Sequence, residues 1–492
     1  MSSPGPWFQT QGGGPCFPAA AAPGETTMKI LLLTPPAMRL MHPATLEPDL
    51  LPAKSWVPLG IASLAAALRA GGFEAEPHDL HDADWEEVCA LLAASQADMV
   101  GISCFTFERV NALRTAAMAR QALPDAVVVM GGPHATFFPE QILCRGVVDI
   151  VALGQAEATI VELAACLDQN GDLRDVAGIA FRQGEAVHTT KARPQDDNLD
   201  ALAFPTYEGF DLAQYKSPEI PAQYYDLPGT HVLTSRGCPY ACHFCSVNQF
   251  FKGHWSFRSP GNVADELEQL VREAGVRHVY FSDDLFTLDP RRTIGICREI
   301  LDRRIDIVWM AETRVDCVTE EMLTWMRKAG CYRIYYGVES GSPRILKAIN
   351  KRFTVGQVAT AFALTHKAGI EPCCFLMVGN PGESPETIAE TIALIEAIRP
   401  ATMPVIGITT ILPGTRIYER AKRQGLITDD FWLTEAAPPL YTGERDTDDL
   451  IALQFQLTRG VCPEMVEQLR AMGFDESFFR LRRLCGAGGF AA

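Results

Sequence analysis

The chain has 492 residues, 47% of them hydrophobic and 21% charged, a balance typical of a soluble globular protein with two or three domains. Its formal net charge is −17 at pH 7 and its pI is about 5.1, which disfavours nucleic acid as a partner because basic surfaces hold phosphate backbones. No apolar run approaches the roughly 20 residues of a membrane-spanning helix, so we expect no transmembrane segment.

The cysteines indicate a reducing compartment. Twelve of the fifteen are scattered along the chain, and several of these stand in apolar segments, where a free cysteine packs as a small hydrophobic residue. The sequence also shows no secretory leader. We therefore expect a cytoplasmic protein without a disulfide framework.

Residues 1–27 are rich in glycine, proline and alanine and show no hydrophobic periodicity. This composition predicts a disordered extension. The alternative is an artefact of an upstream start, because the apolar run from Met28 to Leu33 resembles a natural beginning.

Residues 28–170 alternate short apolar runs with helical stretches. The apolar runs are too continuous for half-exposed strands, which predicts strands buried on both faces. We expect strands at 29–33, 98–104, 126–130 and 149–153, and helices at 59–70, 85–94, 110–123 and 158–167. This alternation indicates an α/β fold with a doubly wound, Rossmann-like parallel sheet.

In such a sheet a ligand lies in the crevice beyond the carboxyl ends of the strands. Glycines there let a flat ligand or a phosphate approach the backbone, and hydroxyl groups offer hydrogen bonds. The turns at these ends contain Ser103, Thr106, Gly131, Gly132, His134, Gly154 and Glu157. On these residues alone, a plain three-layer fold with tight turns is the simpler interpretation.

Residues 171–230 are typical of a connector. Two short runs at 178–181 and 186–190 flank a Gln183-Gly184 turn and predict a hairpin. The stretch 205–228 is aromatic and bears prolines, which indicates a strap between two domains.

Residues 231–415 repeat a strand and a helix through a second domain. We expect strands at 231–235, 278–282, 307–311, 333–337, 374–378 and 405–410, and helices at 263–274, 290–302, 320–328, 355–367 and 385–398. Six parallel units of this length predict a partial (β/α)6 barrel of the TIM type. The remaining residues, 416–492, indicate a small, mostly helical region that caps the barrel mouth.

Three cysteines, Cys238, Cys242 and Cys245, stand on one short loop after the first barrel strand. Three thiolates at this spacing can hold three corners of a 4Fe–4S cube and leave one iron open. One alternative is three unconnected core cysteines. Another is a structural zinc site, which needs a fourth ligand such as His243 or His254.

Polar and close-turning residues follow the later barrel strands, at the ends where barrel enzymes carry their chemistry. They are Asp283, Asp284, Arg314, Glu339, Ser340, Gly379 and Gly382. Each has a structural explanation by itself, for example a simple turn at Gly382. Found at successive strand ends of one barrel, they predict a site that includes the cysteine loop.

The cysteine loop resembles that of the radical S-adenosylmethionine (SAM) enzymes. The resemblance rests on the C-x3-C-x2-C spacing, on Arg236-Gly237-Cys238-Pro239 before it and on Phe244 before the last cysteine. It implies that the three cysteines are the metal ligands of a 4Fe–4S cluster with catalytic function, and that Phe244 belongs to the cofactor site.

The same resemblance assigns roles to the strand ends. It implies that Glu339 and Ser340 contact SAM, that Gly379 and Gly382 let the backbone approach adenine, and that Asp283 lies by the ribose or the substrate. Asp284, Arg314 and Tyr336 are implied as further members of the cavity wall.

The block 28–170 resembles the cobalamin-binding domain that precedes the radical domain in one large subfamily, most closely in Gly131-Gly132-Pro133-His134. Ala156 stands where the subfamily often has a glycine. The motif Asp-x-His-x-x-Gly is absent, since Asp79-Leu80-His81 is followed by Asp84. If cobalamin binds, we expect no protein histidine as its lower ligand.

Together the resemblances imply an enzyme with three cofactors: a 4Fe–4S cluster, SAM and cobalamin. They imply methylation of an unactivated carbon of a small molecule or natural product, with an electron donor such as flavodoxin or ferredoxin. One alternative is an oxidative cyclase of the anaerobic Mg-protoporphyrin ester type. Another, from a different class, is a non-catalytic cobalamin or redox sensor. A methylthiolating enzyme is disfavoured, because no second cysteine triad is present.

Overall fold

The computed structural model describes residues 28–37, 56–195, 197–215, 217, 220–464 and 466–467. Two large sheets, one in each half of the chain, organise this part. The predicted disordered extension, 1–27, lies outside the described residues, as does the end of the predicted helical region 416–492.

The first sheet has seven strands in the spatial order 2-1-3-4-5-6-7. They are β1 Lys29–Thr34, β2 Glu74–Asp79, β3 Met99–Ser103, β4 Val127–Gly131, β5 Ile150–Ala152, β6 Ile179–Gln183 and β7 Ala186–Thr189. Strands β1 to β5 pair in parallel, whereas the predicted hairpin, β6 and β7, extends the sheet as antiparallel strands. The strand order reverses between β1 and β3, which is where doubly wound sheets bind ligands.

Helices cover both faces of this sheet, as the alternation predicted. They are α1 Leu59–Ala70, α2 Trp85–Ala94, α3 Arg109–Ala122, α4 Pro133–Phe137, α5 Pro139–Leu143 and α6 Glu157–Asp168. Successive residues of β1 enter opposite cores: Leu32 packs with α1 and α6, and Leu33 packs with α2 and α3. Because both faces are buried, β1 has no polar alternation, and its continuous apolar run is explained.

Strand β2 was not among the predicted strands. It lies at the sheet edge, and Glu74 and Glu76 are exposed on one face while Ala75 and Pro77 are buried on the other. An edge strand needs only one apolar face, so no continuous apolar run marks it in the sequence.

The second sheet has six strands in the order 15-14-13-12-11-8, all parallel to their neighbours, and forms an open half-barrel. These strands are β8 Gly229–Val232, β11 His278–Phe281, β12 Val308–Thr313, β13 Cys331–Glu339, β14 Glu371–Val378 and β15 Val405–Ile408. Two short strands, β9 Ser235–Arg236 and β10 Ser256–Phe257, pair separately beside it. The predicted partial (β/α)6 architecture is confirmed.

The helices of this half are α7 Val247–Phe250, α8 Pro260–Ala274, α9 Pro290–Asp302, α10 Glu320–Lys328, α11 Pro343–Ala348, α12 Val355–Lys367 and α13 Pro385–Ile398. Helices α8 to α13 cover the outer face of the half-barrel, where Val279, Trp309 and Cys374 are fully buried, whereas α7 follows the cysteine loop. Helix α9 starts at a cap in which Asp289 accepts from two backbone N–H groups, with Pro290 in the first helical position.

The C-terminal part adds α14 Arg416–Arg423 and α15 Thr447–Val461. Helix α15 packs on α13, and its Leu453 and Leu457 join the outer core of the half-barrel. The predicted capping of the barrel mouth by 416–492 stays a prediction. Among the described residues, no helix combines the length and apolar character that crossing a membrane requires.

Candidate functional site

The cysteine loop begins at a turn that only glycine can make. Gly237 has φ +82°, and a Cβ there would lie 2.3 Å from the carbonyl oxygen of His254. Its N–H donates to the Asp284 carboxylate at 3.1 Å. The turn places Cys238, Cys242 and Cys245 together between β9 and α7.

Two aspartates at the end of β11 support this loop. Asp283 is fully buried and accepts hydrogen bonds from the backbone N–H of Thr234 at 3.2 Å and from its hydroxyl at 2.8 Å. The Asp283 carboxylate is thus occupied by Thr234 in this structure, and its assignment to the ribose or substrate stays a prediction. Burial raises the pKa of the neighbouring Asp284 to about 6.

The three loop cysteines are free thiols in this structure. Burial raises the pKa of Cys238 to about 11 and that of Cys245 to about 12, and Cys242 lies close enough to add to both shifts. Without metal the thiols of Cys238 and Cys245 are therefore protonated at neutral pH, and metal binding has to displace those protons.

The three loop cysteines suit a 4Fe–4S cluster better than a single metal ion. In the described part of the chain, no three His, Cys, Asp or Glu side chains converge on a point where one metal ion would sit. Ligands of a 4Fe–4S cube bind separate irons and need no such point. His243 contacts the Ala348 carbonyl through Nδ1 at 2.8 Å, and His254 contacts Asp197 through Nε2 at 2.6 Å. Each contact occupies one ring nitrogen, so these contacts alone do not decide against zinc.

Two buried cations lie against the loop. Arg314 points its Nη1 at the Cys242 sulfur, 3.9 Å away, and its guanidinium lies 3.7 Å from the centre of the Tyr240 ring. Lys351 pairs with Glu339 at 2.8 Å, and its ammonium lies 5.5 Å from the Phe244 ring centre. Lys351 was not predicted, since nothing in its local sequence marks it.

Glu339 ends β13 in a strained conformation. Its φ is +66°, in the left-handed region that non-glycine residues seldom occupy, and it is only 8% exposed. A Cβ on Gly337 would meet both the Glu339 carboxylate and the Lys351 ammonium at 2.9 Å. The ion pair therefore occupies the space above Gly337, and strain of this kind concentrates at functional sites.

Two other predicted contacts face the protein interior. Ser340 is buried and its hydroxyl lies 3.2 Å from the Thr391 hydroxyl, while it accepts from the Ser342 N–H at 3.1 Å. Tyr336 is on the outer face of β13 and meets the Thr365 hydroxyl at 2.7 Å. The Tyr336 side chain therefore packs under α12 and does not line the cavity, whereas a contact of Ser340 with SAM stays a prediction.

The glycines after β14 have the conformations that the turn requires. Gly379 has φ +80° and Gly382 has φ +82°. The N–H of Gly382 donates to the Glu444 carboxylate at 2.7 Å. A role of this turn beside adenine stays a prediction.

The crevice of the first sheet gathers the other predicted residues. Ser103 ends β3 and Thr106 follows it, Gly131 ends β4 and Gly132 follows it, and Gly154 and Glu157 follow β5. A Cβ added to Gly154 would meet no atom within 4 Å, so the backbone after β5 is open. The Phe105 ring after β3 is 45% exposed. Open backbone and an exposed aromatic ring at the same edge of the sheet suit a flat ligand such as a corrin.

His134 in this crevice is a neutral side chain. Burial, together with Arg109, lowers the pKa of His134 to about 3. Its Nδ1 lies 3.3 Å from the Thr106 hydroxyl.

Gly132 offers a direct test of this turn. Its φ is +102°, and a Cβ would lie 2.9 Å from the Cys104 carbonyl oxygen. We expect Gly132→Ala to destabilise the protein by roughly 2 kcal/mol or more, from left-handed strain plus the steric clash. Gly146→Ala is the matched control, since Gly146 also has a positive φ but faces open space, and should cost about 1 kcal/mol. Urea unfolding measures both, and equal losses would contradict the clash.

An ion pair joins the crevice to the cysteine loop. Arg236, two residues before Cys238, binds the Glu157 carboxylate at 2.6 Å and the Gln155 side chain at 2.9 Å. The side chains of Arg236 and Glu157 are 17% and 12% exposed. The carboxyl edge of the first sheet therefore faces the cysteine loop. The Glu157 side chain is already bound to Arg236 of the same chain.

The C-terminal part borders the same crevice. Arg109 is buried, donates to the carbonyls of Thr434 and Ala436, and lies 5.3 Å from the Trp432 ring centre. Trp432 in turn contacts the His134 ring. Arg109 was not predicted, because its partners lie more than 300 residues away in the sequence.

Comparison with protein families identifies both halves. The radical SAM superfamily matches residues 232–395, and the B12 binding domain matches residues 52–164. The first match contains the cysteine loop, and the second contains the turns of the crevice.

Individual proteins extend the match over most of the chain. An uncharacterized methyltransferase of Pyrococcus horikoshii is 31% identical over 413 residues, which cover 82% of this chain and 85% of that protein. The anaerobic magnesium-protoporphyrin IX monomethyl ester cyclase of Rubrivivax gelatinosus is 31% identical over 353 residues, 69% of this chain and 62% of that protein.

A solved structure shares the fold. The radical SAM methyltransferase TsrM from Kitasatospora setae, with cobalamin and a [4Fe-4S] cluster bound, superposes with a TM-score of 0.65 at 20% identity. The superposition covers 81% of this chain and 75% of that one.

Proposed function

Because the chain belongs to the radical SAM superfamily and carries a B12-binding domain, we propose that it transfers a methyl group from cobalamin to an unactivated carbon of a small molecule. The observation that carries the proposal is the ion pair between Arg236 and Glu157, which holds the crevice against the cysteine loop. A methyl donor in the crevice and a radical source on the loop would then share one substrate.

The division of the chain follows from this proposal. Residues 28–170 would hold cobalamin, 171–230 connect, and 231–415 hold the cluster and SAM. Residues 416–492 would cap the site and select the substrate. The reaction would take place in the cytoplasm, with electrons from a flavodoxin or ferredoxin.

The three cofactors, when bound, supply a low-potential electron, a carbon radical and a transferable methyl group. The residues of the chain hold and orient them. Cys238, Cys242 and Cys245 would bind three irons, and Glu339, fixed by Lys351, would orient SAM. The half-barrel and the Trp432 region would exclude water from the space between.

Anaerobic reconstitution with iron, sulfide and hydroxocobalamin tests this function. With SAM and a strong reductant, we expect bound corrinoid by absorbance and formation of both 5′-deoxyadenosine and S-adenosylhomocysteine. Deoxyadenosine without S-adenosylhomocysteine would favour the cyclase alternative, to which the Rubrivivax similarity points. Cluster-loaded protein with neither corrinoid nor deoxyadenosine would favour the sensor.

A further inference from the structure

We propose that Arg314 raises the reduction potential of the cluster through its contact with Cys242, and that Asp316 limits this effect. The inference rests on the proposed function for the presence of the cluster. It concerns a property that the family assignment does not give, namely which residues of this chain make the cluster easier or harder to reduce.

The geometry aims Arg314 at a ligand sulfur. Its Nε and Nη2 bind the two oxygens of Asp316 at 2.9 and 3.0 Å, and Nη2 also donates to the Lys351 carbonyl at 2.7 Å. With these atoms engaged, Nη1 is left facing the Cys242 sulfur at 3.9 Å. The flat face of the guanidinium lies on the Tyr240 ring, which restricts its rotation.

The charges around the loop are arranged unevenly. The Arg314 and Asp316 side chains are 7% and 15% exposed, so water screens them weakly. Lys351, the other buried cation, is neutralised by Glu339 at 2.8 Å. Arg314 therefore donates directly to a cluster ligand, and Asp316 is the carboxylate paired with it.

Reduction adds one negative charge to the cluster, so a neighbouring cation favours it and a neighbouring carboxylate opposes it. Hydrogen bonds to the ligand sulfurs act in the same direction as the cation. A unit charge about 10 Å away, at an effective dielectric constant of about 20, changes a one-electron equilibrium constant by on the order of tenfold. A tenfold change corresponds to about 59 mV for a one-electron couple.

The test uses Arg314→Met and Asp316→Asn in the full-length protein, reconstituted with iron and sulfide and kept free of SAM. An EPR-monitored titration with dithionite and viologen mediators gives the cluster potential. We expect Arg314→Met to lower the equilibrium constant for reduction about tenfold, and Asp316→Asn to raise it several-fold. Shifts of the reduction potential in opposite directions are decisive, because a purely structural role of the Arg314–Asp316 pair would shift the potential in the same direction in both variants.

Arg304→Met is the matched control, since Arg304 is exposed in the turn between α9 and β12. The reduction potential of the cluster in this variant should equal that of the wild type. An unchanged potential in Arg314→Met, or shifts of one sign in both variants, would overturn the inference. If Arg314→Met holds no cluster, Asp316→Asn decides alone, and a potential at or below the wild-type value overturns the inference. A wild-type protein that takes up no cluster would overturn the proposed function as well.

Discussion

Cys242→Ala is expected to abolish cluster incorporation and 5′-deoxyadenosine formation together. Cys242 is the middle ligand of the loop, and its thiol lies near both Cys238 and Cys245. Two remaining thiolates would leave two irons of the cube without protein ligands, and the open iron that binds SAM would lose its fixed position. Iron content and the absorbance of the reconstituted protein near 400 nm measure incorporation, and chromatography measures deoxyadenosine.

Cys89→Ala provides the control for this variant. Cys89 is an exposed free cysteine on α2, far along the chain from the loop, and its removal should leave cluster and product unchanged. Circular dichroism establishes that both variants fold. If folded Cys242→Ala formed deoxyadenosine at the wild-type level, the proposed mechanism would be wrong.

Helices were easier to predict than edge strands, because helix ends are marked locally. Helices α9, α12 and α13 begin and end where the sequence placed them, since Asp289, Thr354 and Ser384 cap their first turns through neighbouring backbone N–H groups. Strand β2 has no comparable local mark. It pairs with β1, whose residues stand about 45 positions earlier in the sequence.

The site was predictable where its residues are consecutive. The cysteine loop is compact in sequence, and its spacing together with Arg236-Gly237-Cys238-Pro239 and Phe244 predicted an iron–sulfur cluster, whereas the spacing alone left three core cysteines as an alternative. Tyr336 lies near the end of a strand, but it does not face the cavity. Side chains two residues apart in a strand point to the same face, so Tyr336 shares the outer face with Ile334 and Val338.

Contacts between distant segments could not be derived from the sequence. The pair Lys351–Glu339 and the pair Arg236–Glu157 each join residues from different elements, and the second joins the two halves of the chain. The sequence marks Glu339 and Glu157 as strand-end residues, but it does not show which cation each of them meets. Only the packing of the half-barrel and the first sheet reveals that these charges are buried and matched.

Arg236→Met is expected to destabilise the protein by about 3 kcal/mol at neutral pH, because it leaves the Glu157 carboxylate buried without its cation. Urea unfolding followed by tryptophan fluorescence measures the loss. In Arg236→Met combined with Glu157→Gln, no uncompensated charge is left, and we expect most of the stability to return. A double variant as unstable as Arg236→Met would show that packing, not charge, causes the loss.

The pH dependence of this loss follows from the pKa of Glu157. Burial by itself raises that pKa, but the charge and hydrogen bond of Arg236 outweigh burial and hold it below its ordinary value. The pair therefore stabilises the wild type above the unfolded pKa of about 4.3, and this contribution is lost as the pH falls through the lower folded value. In Arg236→Met only backbone hydrogen bonds at Ala156 and Glu157 still oppose burial, so we expect the pKa of Glu157 to rise and protonation to relieve the penalty. The stability difference between wild type and variant should shrink as the pH falls from 7 towards 4, and a difference independent of pH would contradict the role of Glu157 as the buried charge.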